Sequence, residues 1–295
     1  MRFSRSAFAA LLLASLGLAT LAYAGSATTV TGLYYTGQNA GGGLATGGTT
    51  DAHWTVSAAY LNGTNTATYT GAAYVLSGPD STYTPNTSTA QWITAPGAHT
   101  TSSTGSATNA GGDYLPGSST SGTNSAYYVY RLAFTIGGSG TGNVTNDIQI
   151  SMTIAADDNY YVYVNPTQAP TVNSAGTIDA SSGGGNGTAV ATGTAAWNNT
   201  TSFKIGNSTT NSGDVNNTNF VIGTNYIYVV VANTDSGSNS GSLNQSGLLV
   251  YQVGSGITID GKPVPEVGAI LPVVGALGLF LLRRVRRGGG ISLVA

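Results

Sequence analysis

Apolar and polar residues alternate in short runs through the middle of this chain, and a 3.6-residue period is hard to find between Gly25 and Asp260. Runs rich in Val, Ile, Tyr and Thr predict strands at residues 29–35, 54–60, 72–76, 127–136, 148–155, 160–164, 203–205, 226–232 and 247–253. In Ile148-Gln149-Ile150-Ser151-Met152-Thr153-Ile154 the alternation is strict, which predicts one face in the core and one in water. Residues 226–231 are apolar on both faces and belong in the centre of a sheet. Gly-, Ser-, Thr- and Asn-rich stretches at 37–50, 100–124 and 173–194 read as long surface loops. No repeat of 20 to 50 residues is found when the runs are compared, so the pattern predicts one all-β sandwich rather than a solenoid or propeller.

Both ends have a different character. Residues 1–24 begin with Arg2 and Arg5, continue through an apolar stretch at 7–22, and reach the A-x-A site Ala22-Tyr23-Ala24, so they read as a signal peptide cut after Ala24. At the other end, residues 267–282 are apolar and would form a short transmembrane helix of about 24 Å. Arg283, Arg284, Arg286 and Arg287 follow at once, and the positive-inside bias keeps them cytoplasmic, which leaves everything before Val267 outside the inner membrane. The division is then 1–24 signal helix, 25–49 Gly-rich segment with a first strand, 50–260 β-sandwich ectodomain and 261–295 C-terminal sorting or anchor segment.

Composition narrows the functions available. Between Gly25 and Asp260 there are two cations, Arg131 and Lys204, against ten Asp, a net of −8. Such a body cannot neutralise phosphates, which excludes nucleic acid as the expected partner. With 7% charged residues and 43 Gly the chain approaches the composition of disorder, but 17 Tyr and three Trp gathered with Val and Ile supply apolar area for a core. There is no Cys, so the fold stands without disulfides, thiol nucleophiles or Cys-based metal sites.

The tail Val264-Pro265-Glu266, apolar stretch and arginine cluster resembles the PEP-CTERM sorting signal of exopolysaccharide-producing Gram-negative bacteria, in which Val-Pro-Glu-Pro opens the segment spanning 263–267 here. Val267 stands in place of the second Pro, and the chain continues to Ala295. The resemblance implies that an exosortase in the inner membrane acts near Pro265 and Glu266 and releases or transfers the ectodomain. A second resemblance, over about residues 50–253, is to the galactose-binding-like jelly-roll domain. It is carried by Asp51-Ala52-His53-Trp54, Gln91-Trp92-Ile93, the run from Tyr128 through Arg131 to Phe134, Ala155-Ala156-Asp157-Asp158-Asn159 with Val162 to Asn165, and Ile222-Gly223 through Asn225 to Asn233. Pro166 follows Asn165 where Gly is usual. The fold implied is a jelly-roll β-sandwich.

Candidate chemistry is sparse. The body has no Glu and two His, His53 and His99, which lack metal-ligand spacing and read as structural or surface residues. Adjacent Asp157 and Asp158 in an extended chain would point to opposite faces, which suits a turn better than a retaining glycosidase pair. Asp157, Asp158 and Asn159 are the candidate calcium ligands, since hard cations take several carboxylate and amide oxygens. Trp54, Trp92 and Trp197 are the candidates for stacking on sugar rings, with Trp54 and Trp92 equally suited to a core and Trp197 set among Asn198 and Asn199. The expected function is a non-enzymatic cell-surface or extracellular-matrix protein, associated with exopolysaccharide or biofilm, that binds polysaccharide, calcium or both. The alternatives are a secreted carbohydrate-active enzyme and a plain membrane-anchored structural protein.

Overall fold

Each of the nine predicted runs overlaps a strand, with 29–31 alone pairing in the first, because each offers a β-branched or aromatic face that only pairing and packing can bury. The computed structural model describes residues 26–61, 66–67, 69–76, 83–95, 125–144, 147–173, 175–180, 189–193, 197–206, 214–216, 220–234, 246–252, 256–260 and 262–264. Among these the chain is all-β. Its strands are β1 (Ser26–Thr31), β2 (Thr50–Leu61), β3 (Tyr69–Val75), β4 (Ile93–Thr94), β5 (Ser125–Ser139), β6 (Ile148–Asp157), β7 (Asn159–Val164), β8 (Thr171–Val172), β9 (Ile178–Asp179), β10 (Ala191–Gly193), β11 (Thr201–Gly206), β12 (Asp214–Asn216), β13 (Gly223–Thr234), β14 (Gly247–Tyr251), β15 (Ile257–Ile259) and β16 (Lys262–Pro263).

One curled sheet runs β10-β7-β13-β5-β2-β3-β4-β14-β6-β11-β12, with β1 added to β5 and the β15–β16 hairpin to β6. Its described pairings are antiparallel except β11 with β12. The curl brings two halves face to face over a main core. Tyr128, Leu132 and Phe134 of β5, Val229 and Val231 of β13, and Val162 of β7 come from one half, and Ile150, Ile154 and Val250 of β6 and β14 from the other. The outer face of the first half carries a second apolar cluster, in which Val172, Ile178 and Ala180 of the β8–β9 region cover Val129, Tyr163 and Val230. The outer face of the other half carries a third, where Leu76, Tyr83 and Trp92 cover Ala155 and Leu249.

These outer clusters change two sequence expectations. Strand β6 alternates only at first, with Gln149 and Ser151 half-buried, and from Met152 onward both faces are buried, Thr153 included. The third cluster lies over that end, so the polar face does not meet water there. Stretch 173–194 is not all loop, because Ala191–Gly193 adds an edge strand to β7 and β9 closes a hairpin with β8. Strand β13 is central, as its two apolar faces require, feeding Ile227, Val229 and Val231 into the main core and Tyr228 and Val230 into the second cluster.

The sheet also runs past both expected boundaries, taking in β1 and, at the C-terminal side, Lys262–Pro263. The signal helix, its Ala22 and Ala24 cleavage site, stretch 100–124, Pro265, Glu266, the 267–282 helix and Arg283, Arg284, Arg286 and Arg287 lie outside the described residues. After β7 the chain turns without the usual Gly, because Asn165 itself takes φ +42°. Its Oδ1 accepts the Tyr226 N–H at 2.6 Å and its Nδ2 donates to Asn225 Oδ1 at 2.7 Å, which fixes β7 against β13.

Residues 36–45 bridge the two halves. Thr36 N–H donates to Val250 O of β14 and Gln91 N–H to Thr36 O, while Gln91 Nε2 donates to Gly37 O and Ala45 O. Asp51 at the start of β2 holds this bridge, accepting the N–H groups of Gly37 (2.6 Å), His53 (2.7 Å) and Trp54 (2.8 Å) while itself buried. Removing the acceptor leaves three N–H groups short of a partner, each costly when buried. Asp51→Ala is expected to destabilise the body by about 3 kcal/mol in urea unfolding, with Asp51→Asn intermediate. A loss under a few tenths of a kcal/mol would mean that the bridge does not depend on this carboxylate.

Candidate functional site

The chain crosses from one half of the sheet to the other at the corner between β6 and β7, and the acidic residues sit in that corner. Strand β6 ends at Asp157, Asp158 forms the bend, and Asn159 begins β7. Asp157 lies opposite Gly247 of β14 and Asn159 opposite Ala232 of β13, so the corner is held by a neighbour on each side. Asp158 N–H also donates to Ala232 O at 3.2 Å.

The two aspartates stand where the chain bends between β6 and β7, in a turn and not in an extended pair. Asp158 lies close enough to raise the Asp157 carboxyl through hydrogen bonding and charge. Asp157 is buried on the same outer face as Ala155, and it accepts a hydrogen bond from the Tyr83 hydroxyl. Burial pushes the Asp157 carboxyl up to about 8, against the Tyr83 bond that lowers it, with the hydrogen bond and charge of Asp158 raising it further. At neutral pH it therefore holds its proton.

Tyr83 joins this corner to the tryptophans. Its ring lies 4.7 Å from that of Trp92 and 6.1 Å from that of Trp197, centroid to centroid. Thr84, next in the chain, donates its N–H to Trp197 O at 2.9 Å and accepts from Trp92 Nε1 at 2.7 Å. Of the three tryptophans singled out from sequence, Trp197 alone stays half-exposed. Trp54 and Trp92 are 0% exposed and cannot stack on a sugar. The Trp54 ring is in the main core with its indole N–H on Tyr34 O, and Trp92 lies under Tyr83 in the third cluster, so tight that a side chain at Gly247 would press on its ring. Bulk that buries well explains both.

Asp157 and Trp197, far apart in the chain, thus come together through Tyr83, which sequence reasoning missed. Tyr83 stands alone among Ser, Thr, Pro and Asn, outside any alternating run. An isolated aromatic in so polar a stretch was the available signal. His53 is structural, stacked on Tyr34 at 3.4 Å with Nε2 2.9 Å from Asn39 O. Among the described residues no three His, Asp or Glu gather as a metal site, so calcium at this corner would rest on two carboxyl groups and neighbouring amide or backbone oxygens.

Compared with family models, curated proteins and solved structures, the chain finds no match.

A carboxyl raised by burial lowers stability as pH rises through the window in which only the folded state keeps the proton. Its contribution is full below the ordinary carboxylate range, where both states are protonated, and is lost as pH rises toward about 8. Stability measured by urea unfolding should therefore fall between about pH 4 and 8. In Asp157→Asn, which carries no titrating proton, the fall over that window should flatten. An unchanged pH profile in the variant would assign the dependence elsewhere.

Proposed function

We propose that this chain is an exported, non-enzymatic surface or extracellular-matrix protein of a Gram-negative bacterium, with a jelly-roll β body that binds polysaccharide at the Tyr83–Trp197–Asp157 corner. The observation that carries the binding reading is the junction made by Tyr83. It sets the half-buried Trp197 against Tyr83, whose hydroxyl reaches Asp157, so that a ring for stacking on sugar C–H faces stands near the bend that carries half-buried Asp158 and Asn159 as hydrogen-bonding groups. Export is supported by the signal-like residues 1–24 and the apolar tail with its arginines.

A carbohydrate-active enzyme is the weaker alternative. A retaining pair holds its carboxyl groups about 5 Å apart and an inverting pair wider, with the scissile bond between them. Asp157 is buried, so it does not face a scissile bond across an open cleft from Asp158. A calcium ion at Asp157, Asp158 and Asn159 is the second reading, favoured by three oxygen-bearing side chains in succession at the bend between β6 and β7.

A glycan array probed with the secreted body should report acidic-tolerant, neutral polysaccharide ligands whose signal falls at least about tenfold in Trp197→Ala, the loss of one stacked ring. Repeating it with calcium and with a chelator separates the two readings: signal that vanishes with the chelator makes the cation part of the site. Binding that survives Trp197→Ala unchanged would remove the corner as the site.

For the tail, the proposal is a sorting signal that an exosortase cuts near Pro265 and Glu266. Mass spectrometry of the mature protein should find a C-terminus at or next to these residues. A mature chain ending at Ala295 would make the tail a plain anchor instead.

A further inference from the structure

Both described ends of the chain lie at one pole of the body. Ser26 of β1 pairs with Ser139 at the far end of β5, and β1 lies against β15. Ile257 of β15 pairs with Ile150 near the start of β6. Strand β16 folds back on β15, so that Val264 N–H donates to Ile257 O at 2.9 Å and the Val264 side chain packs against the main core. Asp260 N–H donates to Asp147 O at 2.7 Å, and Asp147 N–H to Asp260 Oδ1 at 3.0 Å, which fastens the hairpin turn to the start of β6.

The Asp157 corner lies at the other pole. From Ile150 to Asp157 along β6 the rise is about 23 Å at some 3.3 Å per residue. Three further strand ends agree: Tyr127 of β5 stands level with Ala232 and Asn159, β13 ends at Thr234, and β14 begins at Gly247 opposite Asp157. Hence the polar stretches joining β2 to β3, β4 to β5 and β13 to β14 all leave and re-enter the sheet at the pole of the candidate site.

The fold also reaches the tail with almost no spacer. Val264 belongs to the packed body, and the apolar stretch begins at Val267, at most about 11 Å further along an extended chain. That is half the distance between the poles. The body's net charge of −8 between Gly25 and Asp260 disfavours laying a flank on anionic headgroups, while Lys262 is an exposed cation beside the tether.

We infer that the body stands end-on upon its C-terminal attachment, with the Tyr83–Trp197–Asp157 pole outermost, so that its ligand is a polymer beyond the membrane plane and not the lipid surface beneath. This rests on the proposed C-terminal tether, and it holds whether the tail is kept or exchanged for another attachment at the same residue. Two short poles, one for attachment and one for contact, make the body a spacer that lifts its site clear of the bilayer.

The chain has no Cys, so single labels can be placed without background. Full-length Lys262→Cys and Asn198→Cys would each carry an environment-sensitive fluorophore in phosphatidylethanolamine and phosphatidylglycerol vesicles containing a headgroup-quenching lipid. Loss of emission is expected at 262 and not at 198, and Ser26→Cys, at the attached pole, should behave like 262. Quenching at 198 equal to or above that at 262 in chains that float with the vesicles overturns the end-on arrangement alone. Failure of the full-length chain to float overturns the tether and the arrangement with it.

Discussion

Between β5 and β7 the backbone of β13 is paired along both edges, and its apolar side chains are buried on both faces. A chain with so few charges and no disulfide has little besides apolar burial and backbone pairing to hold it, and β13 supplies both at once. Its odd-numbered residues Ile227, Val229 and Val231 close the main core, which obliges the sheet to curl until β6 and β14 cover them. Tyr228 and Val230 on the other face call for a second cover, and the β8–β9 hairpin provides it. The two-faced burial of one strand thereby sets the number of layers.

From that curl follows the position of the acidic corner. The chain must pass from the half containing β6 to the half containing β7, and it does so at Asp157 and Asp158. A carboxyl at the end of a strand already covered by an outer aromatic cluster loses water, and holding its proton is the response that burial favours. Tyr83 answers the same loss by donating its hydroxyl to Asp157. Packing and local electrostatics are coupled here: the residues that cover Ala155 and Leu249 are the ones that perturb Asp157.

The polar, Gly-rich character of the chain acquires a direction from the same topology. Polar segments rich in Ser, Thr, Asn and Gly join strand ends at the pole of Asp157, and the pole of Ser26 and Val264 carries the Asp147–Asp260 clamp and the paired Asn165 and Asn225. The Asp51 bridge between the halves lies along the flank and takes no part in either pole.

Alternation and β-branched clustering sufficed for nine strands and for the central place of residues 226–231, because those signals are local: a side chain's face follows from its parity in the strand. Parity could not say that the polar face of β6 would be covered beyond Met152, since the covering residues Leu76, Tyr83 and Trp92 come from elsewhere in the chain. It could not separate Trp54 and Trp92, which are buried, from Trp197, since a large aromatic suits a core and a sugar equally until its neighbours are known. The sequence by itself therefore determined the strand class, the acidic balance and the residue types available for chemistry. Only the tertiary structure decided which of them meet, because the Tyr83–Asp157 contact joins residues 74 positions apart, and such a distance is closed by the curl of the sheet and by nothing local.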